Sequence, residues 1–171
     1  MKLIELKSED KELFKKYLQE AFQHAYESIY GKSEELVLPE EDIDRSLDND
    51  GGYAYELINE YGEIMGGVVV NINEKTNHNH LDFLFVKVGV QSKGIGQAIW
   101  AEIEEKFPNT EIWETCTPYF DKRNIHFYVN KLGFHIVEYY HERHQDPNDP
   151  IDNFSLNDGM FRFEKKIKVI K

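Results

Sequence analysis

Apolar side chains recur at Leu13, Phe14, Tyr17, Leu18, Ala21, Phe22, Ala25, Tyr26 and Ile29, the three-and-four spacing of one helical face. The pattern predicts a long amphipathic helix with Ser8 as N-cap, Glu9 and Asp10 in its first turn and Gly31 as its stop. A short strand is expected before it, at 2–6. Pro39, three acids, and then Ile43 and Leu47 predict a second, shorter helix. From Tyr53 the period falls to two, and 53–58, 64–72 and 80–88 read as three strands of an antiparallel meander. A helix carrying Ile99, Ile103 and Phe107 follows, closed by Pro108, and then a strand at 111–117. A further helix is expected from Asp121, with Ile125, Tyr128, Val129 and Leu132 inward and Gly133 as its stop. Strands at 134–142 and 159–168 close the pattern, separated by an acidic, Pro-containing loop at 145–157.

Composition narrows the class. The 171 residues carry 11 Phe, 10 Tyr and 2 Trp, too much apolar surface for a disordered chain, and a domain of this size buries roughly 70% of its unfolded surface. No linker-like stretch and no repeat divides it, so one domain over 1–171 is expected. The formal charge of −12 argues against nucleic acid and anionic membrane as partners and favours cationic ones. Cys116 is the only cysteine, and neither a signal-peptide pattern nor a membrane-length apolar run appears, so a cytoplasmic protein without internal disulfides is expected. The histidines, His141 and His144 included, follow no metal-ligand spacing, and no metal is expected.

The most informative stretch runs Val86-Lys-Val88-Gly-Val-Gln91-Ser92-Lys93-Gly94-Ile95-Gly96, leaving a strand and entering a helix. Backbone N–H groups converge at such a turn and bind phosphate, glycines permit the close approach, and Lys93 adds positive charge. A bare G-x-G is also what an ordinary tight turn needs. A Walker A loop is excluded because no Gly-Lys-Ser/Thr follows. A dinucleotide fingerprint, with Glu114 on the ribose, fits poorly because Ile99 stands at its third glycine position.

The segment resembles motif A of the GCN5-related N-acetyltransferase (GNAT) superfamily: a strand ending in V-x-P, then Q/R-x-x-G-x-G/A, then a helix. Val86, Gln91, Gly94 and Gly96 match, while Val88 stands where proline is usual. Asn124, Phe127-Tyr128 and Gly133-Phe134 match a second motif, with Tyr128 five residues before the glycine where four is commoner, which implies one extra residue near the helix end. The resemblance implies an α+β fold with a mixed, mostly antiparallel central sheet of six to seven strands and about four helices. It also implies acetyl-CoA as cosubstrate, its pyrophosphate on Gln91, Ser92, Lys93, Gly94, Ile95 and Gly96. The pantetheine arm would lie along Val86 and Val88, and Asn124 would touch the cofactor or the loop. The strand at 111–117 should splay away from 80–88 to make room.

Transfer to an amine requires removal of a proton, because a free alkyl ammonium is almost wholly protonated at neutral pH. Strand alternation is expected to put His80 and Asp82 on one side together with Leu84 and Val86. By the resemblance, His80 is the expected general base and Asp82 its relay partner, with Glu114 as a further base or cation-holding candidate. Tyr128 is the expected acid for the leaving thiolate, and a backbone N–H at or beside Val86 would polarise the thioester. Each has a bland alternative: a solvated His80, an Asp82 that balances a neighbouring strand, a surface Glu114, a core Tyr128. Cys116 is expected to be inert packing rather than a covalent acetyl carrier. The runs Glu34-Glu35, Glu40-Glu41-Asp42 and 146–152 read as solvated faces that, by family analogy, border an acceptor cleft, and Tyr26, Tyr30 and Tyr119 line that cleft or the core. The expected activity is acetyl transfer from acetyl-CoA to a primary amine, on a small molecule or a peptide, by direct attack in a ternary complex. The rival is a non-catalytic acyl-CoA sensor or interaction module. Homodimerisation is left open.

Overall fold

The computed structural model describes residues 1–90, 94–148 and 159–167. Strand β1 (Lys2–Glu5) leads through a 3-10 turn at Ser8–Asp10 into α1 (Lys11–Tyr30), and α2 (Glu40–Leu47) follows. The meander comprises β2 (Gly52–Ile58), β3 (Ile64–Asn71) and β4 (His78–Val86). Then come α3 (Ile95–Lys106), β5 (Ile112–Pro118), α4 (Lys122–His126), β6 (His135–Tyr140) and β7 (Met160–Lys166). The seven strands form one sheet in the order β1-β2-β3-β4-β5-β7-β6, antiparallel throughout except for β4 beside β5. Among the described residues no helix is long and apolar enough to cross a membrane.

Each face of the sheet buries its own core. On one side Leu81, Ile99, Trp100, Trp113, Phe134 and Phe163 pack beneath α3 and α4, with the two indoles edge to face at 5.0 Å. On the other, Phe14, Leu18, Ile43, Val69 and Phe85 pack beneath α1 and α2. The α1 apolar stripe is buried at Phe14 and Leu18 and packs on the core at Phe22, while Leu13 and Ile29 are exposed, and the C-terminal half of the helix also lines a groove. Ser8 is not an N-cap, because the 3-10 turn intervenes and Asp10 precedes the helix without a capping side-chain bond. Glu40 is not simply solvated either. It meets the buried Lys15 ammonium at 2.5 Å, Asp44 does so at 2.7 Å, and the pair fastens α2 to α1.

Two irregularities set the geometry around the middle of the sheet. The β3–β4 register shifts between Val69, opposite Phe83, and Val70, opposite Leu81, so Asp82 is an extra residue in a β-bulge. Alternation therefore inverts there: Leu84 joins the α3 core, while Phe83 and Phe85 join the α1 core, on the side where His80 and Asp82 lie. The expected grouping of His80 and Asp82 with Leu84 and Val86 is thus overturned, since a bulge leaves no periodic trace in one sequence. The second irregularity is that α4 does not run on to Leu132. From Phe127 to Lys131 it widens into a π-turn, Leu132 N–H donating to the Phe127 carbonyl at 3.0 Å. This turn absorbs the extra residue that the spacing of Tyr128 and Gly133 implied.

Candidate active site

Strands β4 and β5 pair over only three positions, from His78 opposite Ile112 to His80 opposite Glu114. Beyond them β4 continues to Val86 along β3, and β5 continues to Pro118 along β7, so the sheet opens into a V. At its vertex the Thr115 hydroxyl donates to the Leu81 carbonyl at 2.8 Å, a side-chain tie across the start of the gap. Because Lys87 N–H donates to Met65 on the β3 side, alternation turns the N–H and C=O groups of Leu84 and Val86 toward the gap. Among the described residues those groups form an unused strand edge.

The V opens onto a groove of about 1000 Å³ between α1, the end of β4 and the starts of α3 and α4. Its floor is the α3 N-terminus. Among the described residues the first helical bond there runs from Ala98 N–H to the Gly94 carbonyl, and the N–H groups of Ile95, Gly96 and Gln97 have no acceptor within the helix. Gly94 is left-handed at φ +89°, and a Cβ on it would project into open space, whereas a Cβ on Gly96 would stand 2.9 Å from the Phe127 ring. Gly94 thus shapes the mouth of the groove, and Gly96 lets α3 approach the π-turn. Val88 and Asn124 are among the lining residues, and Gln91, Ser92 and Lys93 lie outside the described residues. The electrostatics of the lining had escaped the sequence-based expectation. Lys87, Lys122, Arg123 and Lys131 face the groove in a chain of net charge −12, and Asp121 is the one carboxylate among the described lining residues. Asp121 caps α4 by accepting the Asn124 N–H at 3.0 Å, and burial pushes its carboxyl up. The Lys122-Arg123 pair in an acidic chain was the available signal.

The candidate chemical groups gather at the vertex. His80 sits within β4, and its Nδ1 meets Asp82 Oδ1 at 2.6 Å. Burial alone would lower the imidazole, but hydrogen bonds and negative charge from Asp82 and Cys116 outweigh it and push His80 up to about 10. Cys116, expected as inert packing, is instead half-buried against His80. Asp82 Oδ2 accepts from the Ser46 hydroxyl of α2 and the Asn71 amide of β3, two partners with no signal in the sequence, being 36 and 11 residues away. On the opposite face Tyr128 is buried among Phe127, Phe134 and Phe163, its hydroxyl within hydrogen-bonding reach of Thr115. Burial pushes that phenol well up, so it stays protonated. Glu114 is already engaged, accepting from Arg162 at 3.0 Å, and the same guanidinium holds Glu138 and Glu164. Tyr26 and Tyr30 pack edge-on against Phe120, which lines the groove, while Tyr119 packs on Tyr139 and Phe161. Among the described residues no group of three or more His, Cys, Asp or Glu is placed to hold a metal ion.

The chain aligns at 44% identity over 169 residues, 95% of its length and 91% of the relative's, with the uncharacterized protein YrkN of Bacillus subtilis strain 168. Its fold matches the PaiA N-acetyltransferase of Thermoplasma acidophilum in complex with coenzyme A, with a TM-score of 0.68 at 20% identity, covering 97% of this chain and 98% of that one. It also matches a Bacillus subtilis acetyltransferase in complex with CoA, with a TM-score of 0.66 at 20% identity, covering 98% and 97%. The family model described as Acetyltransferase (GNAT) family matches residues 12–134, and the chain belongs to that family.

Proposed function

We propose that this single-domain protein transfers an acetyl group from acetyl-CoA to a primary amine, by direct attack within a ternary complex. The observation that carries the proposal is the V between β4 and β5, which joins a helix N-terminus that opens at Gly94 without a side-chain cap and a basic wall at one end to a His–Asp pair at the other. The N–H groups of Ile95, Gly96 and Gln97 suit a pyrophosphate, and Lys122, Arg123 and Lys131 suit further phosphate charge. The free edge groups of Leu84 and Val86 suit the amides of a pantetheine arm. The thioester supplies an activated acyl carbon, and the remaining chemistry falls to the chain.

His80 takes the proton of the acceptor ammonium at Nε2, while Asp82 holds Nδ1. A neutral imidazole of ordinary pKa would do so at a cost of about 5 kcal/mol against an ammonium near 10.4; a ring raised to about 10 makes the transfer itself nearly level but is protonated near pH 7, so only its neutral minority accepts. Tyr128, held protonated by burial, can donate a hydrogen bond to the leaving thiolate. Glu114, bound by Arg162, serves the charge balance between β5 and β7 rather than proton transfer.

Release of CoA thiol, followed with DTNB across a panel of primary amines, tests the proposal. Turnover on at least one amine is expected, lowered at least tenfold by His80→Gln and by Tyr128→Phe while calorimetric binding of CoA persists. Tight CoA binding without turnover on any amine would establish the rival, an acyl-CoA sensor.

A further inference from the structure

The proton-transfer pair has a support that no family motif encodes. Asp82 lies at the β4 bulge, its side chain 16% exposed, and donors from three elements converge on its carboxylate. Oδ1 faces His80 Nδ1 at 2.6 Å, and Oδ2 accepts from both the Ser46 hydroxyl and the Asn71 amide, which also reaches Ser46 at 3.4 Å. Ser46 is buried in the last turn of α2. A helical serine ordinarily satisfies its hydroxyl on the carbonyl one turn back, but this one reaches across to the sheet.

We infer that Ser46 and Asn71 are positioning residues, which pin the Asp82 carboxylate so that His80 carries its proton on Nδ1 and directs Nε2 to the vertex of the V. A carboxylate held on one oxygen alone rotates about its terminal torsion, and a ring facing a rotating acceptor loses its fixed tautomer. Two donors on Oδ2 leave Oδ1 a single orientation. Cys116 of β5 also faces His80, a weak hydrogen-bonding partner that does not fix a ring by itself. The inference rests on the proposed role of His80, because positioning matters only if Nε2 acts.

The test is a ¹⁵N and ¹³C NMR titration of the histidine rings in the ligand-free protein. In the wild type the His80 midpoint is expected at about 10, with the neutral ring protonated on Nδ1. Ser46→Ala should lower that midpoint by about one unit, tenfold in protonation constant, and mix in the Nε2–H tautomer. Ser46→Thr, which keeps the hydroxyl, should preserve both. Unchanged calorimetric binding of CoA certifies the fold, and Asn71→Ala carries the same measurement if Ser46→Ala fails to fold. A Ser46→Ala titration that superimposes on the wild type overturns the inference. On an amine from the active panel, Ser46→Ala should lower kcat about tenfold in the wild-type background and not at all in His80→Gln. Equal losses in both backgrounds would mean that Ser46 merely docks α2, which also overturns it. Full turnover by His80→Gln would instead remove the base assignment and leave the NMR result standing.

Discussion

At the scale of the residue, the environment of His80 sets a pH dependence whose sign is fixed. The ring is raised from about 6.5 to about 10, so its favourable pairing with Asp82 is complete below pH 6.5 and is lost as pH climbs through 10. The thermal stability of wild type over His80→Gln should therefore be greatest at about pH 6 and shrink steadily to vanish by about pH 10; a gap that widens with pH would contradict the pairing. Catalysis runs the other way, because only the neutral ring accepts a proton. The wild-type kcat/KM should rise about tenfold per pH unit from 7 toward a plateau near 10, and a plateau already reached at pH 7 would exclude His80 as the base. Tyr128 makes a separate prediction. Its hydroxyl is buried and protonated beside Thr115, so Tyr128→Phe should lower kcat by 10²-fold or so with the KM for acetyl-CoA unchanged. A change confined to KM would make it a packing residue.

At the scale of the element, the sequence was most legible where structure is periodic and least where it departs from a period. The strands of the meander, the α1 helix and the α3 helix follow from alternation and three-four spacing, with ends off by at most two residues. The bulge at Asp82 was invisible, because one inserted residue in an apolar strand changes facing without changing composition. The π-turn was legible only through a motif spacing that was one residue too long. The glycines of the loop illustrate how one motif holds two physical demands. Gly96 is required by Phe127, so Gly96→Ala should destabilise the fold by about 1–3 kcal/mol, and Phe127→Leu in the same chain should recover much of it. Gly94 has open space around its Cβ position, so Gly94→Val should weaken CoA binding through the groove mouth and the strained φ with a smaller loss of stability. Calorimetry with CoA beside thermal melts of both variants separates these roles, and identical profiles would refute the division.

At the scale of the whole molecule, the distribution of charge decides more than its sum. A net charge of −12 disfavours a phosphate-rich polymer as partner, yet it concealed a local reversal, because which lysines and arginines share a groove depends on how β4, α4 and the π-turn meet. Lys87, Lys122, Arg123 and Lys131 come together from sequence positions up to 44 apart. For an anionic cosubstrate the surrounding field is repulsive at long range and attractive inside the groove. Salt screens both, over a Debye length of about 10 Å at 0.1 M and about 3 Å at 1 M. The attractive contacts act over a few ångströms, so they dominate the equilibrium while the outer field mainly slows encounter. CoA affinity should consequently fall several-fold between 0.1 and 1 M salt, whereas the association rate should change little or rise. Arg123→Glu should lower affinity about tenfold and flatten the salt dependence, and the same reversal at Lys16, which is exposed on α1 and pairs with Glu20 at 3.8 Å, should leave both unchanged. Stopped-flow binding of CoA at several salt concentrations measures both constants. An affinity insensitive to salt, or equal losses from Arg123→Glu and Lys16→Glu, would show that the basic wall does not hold the phosphates and that the helix N-terminus holds them alone.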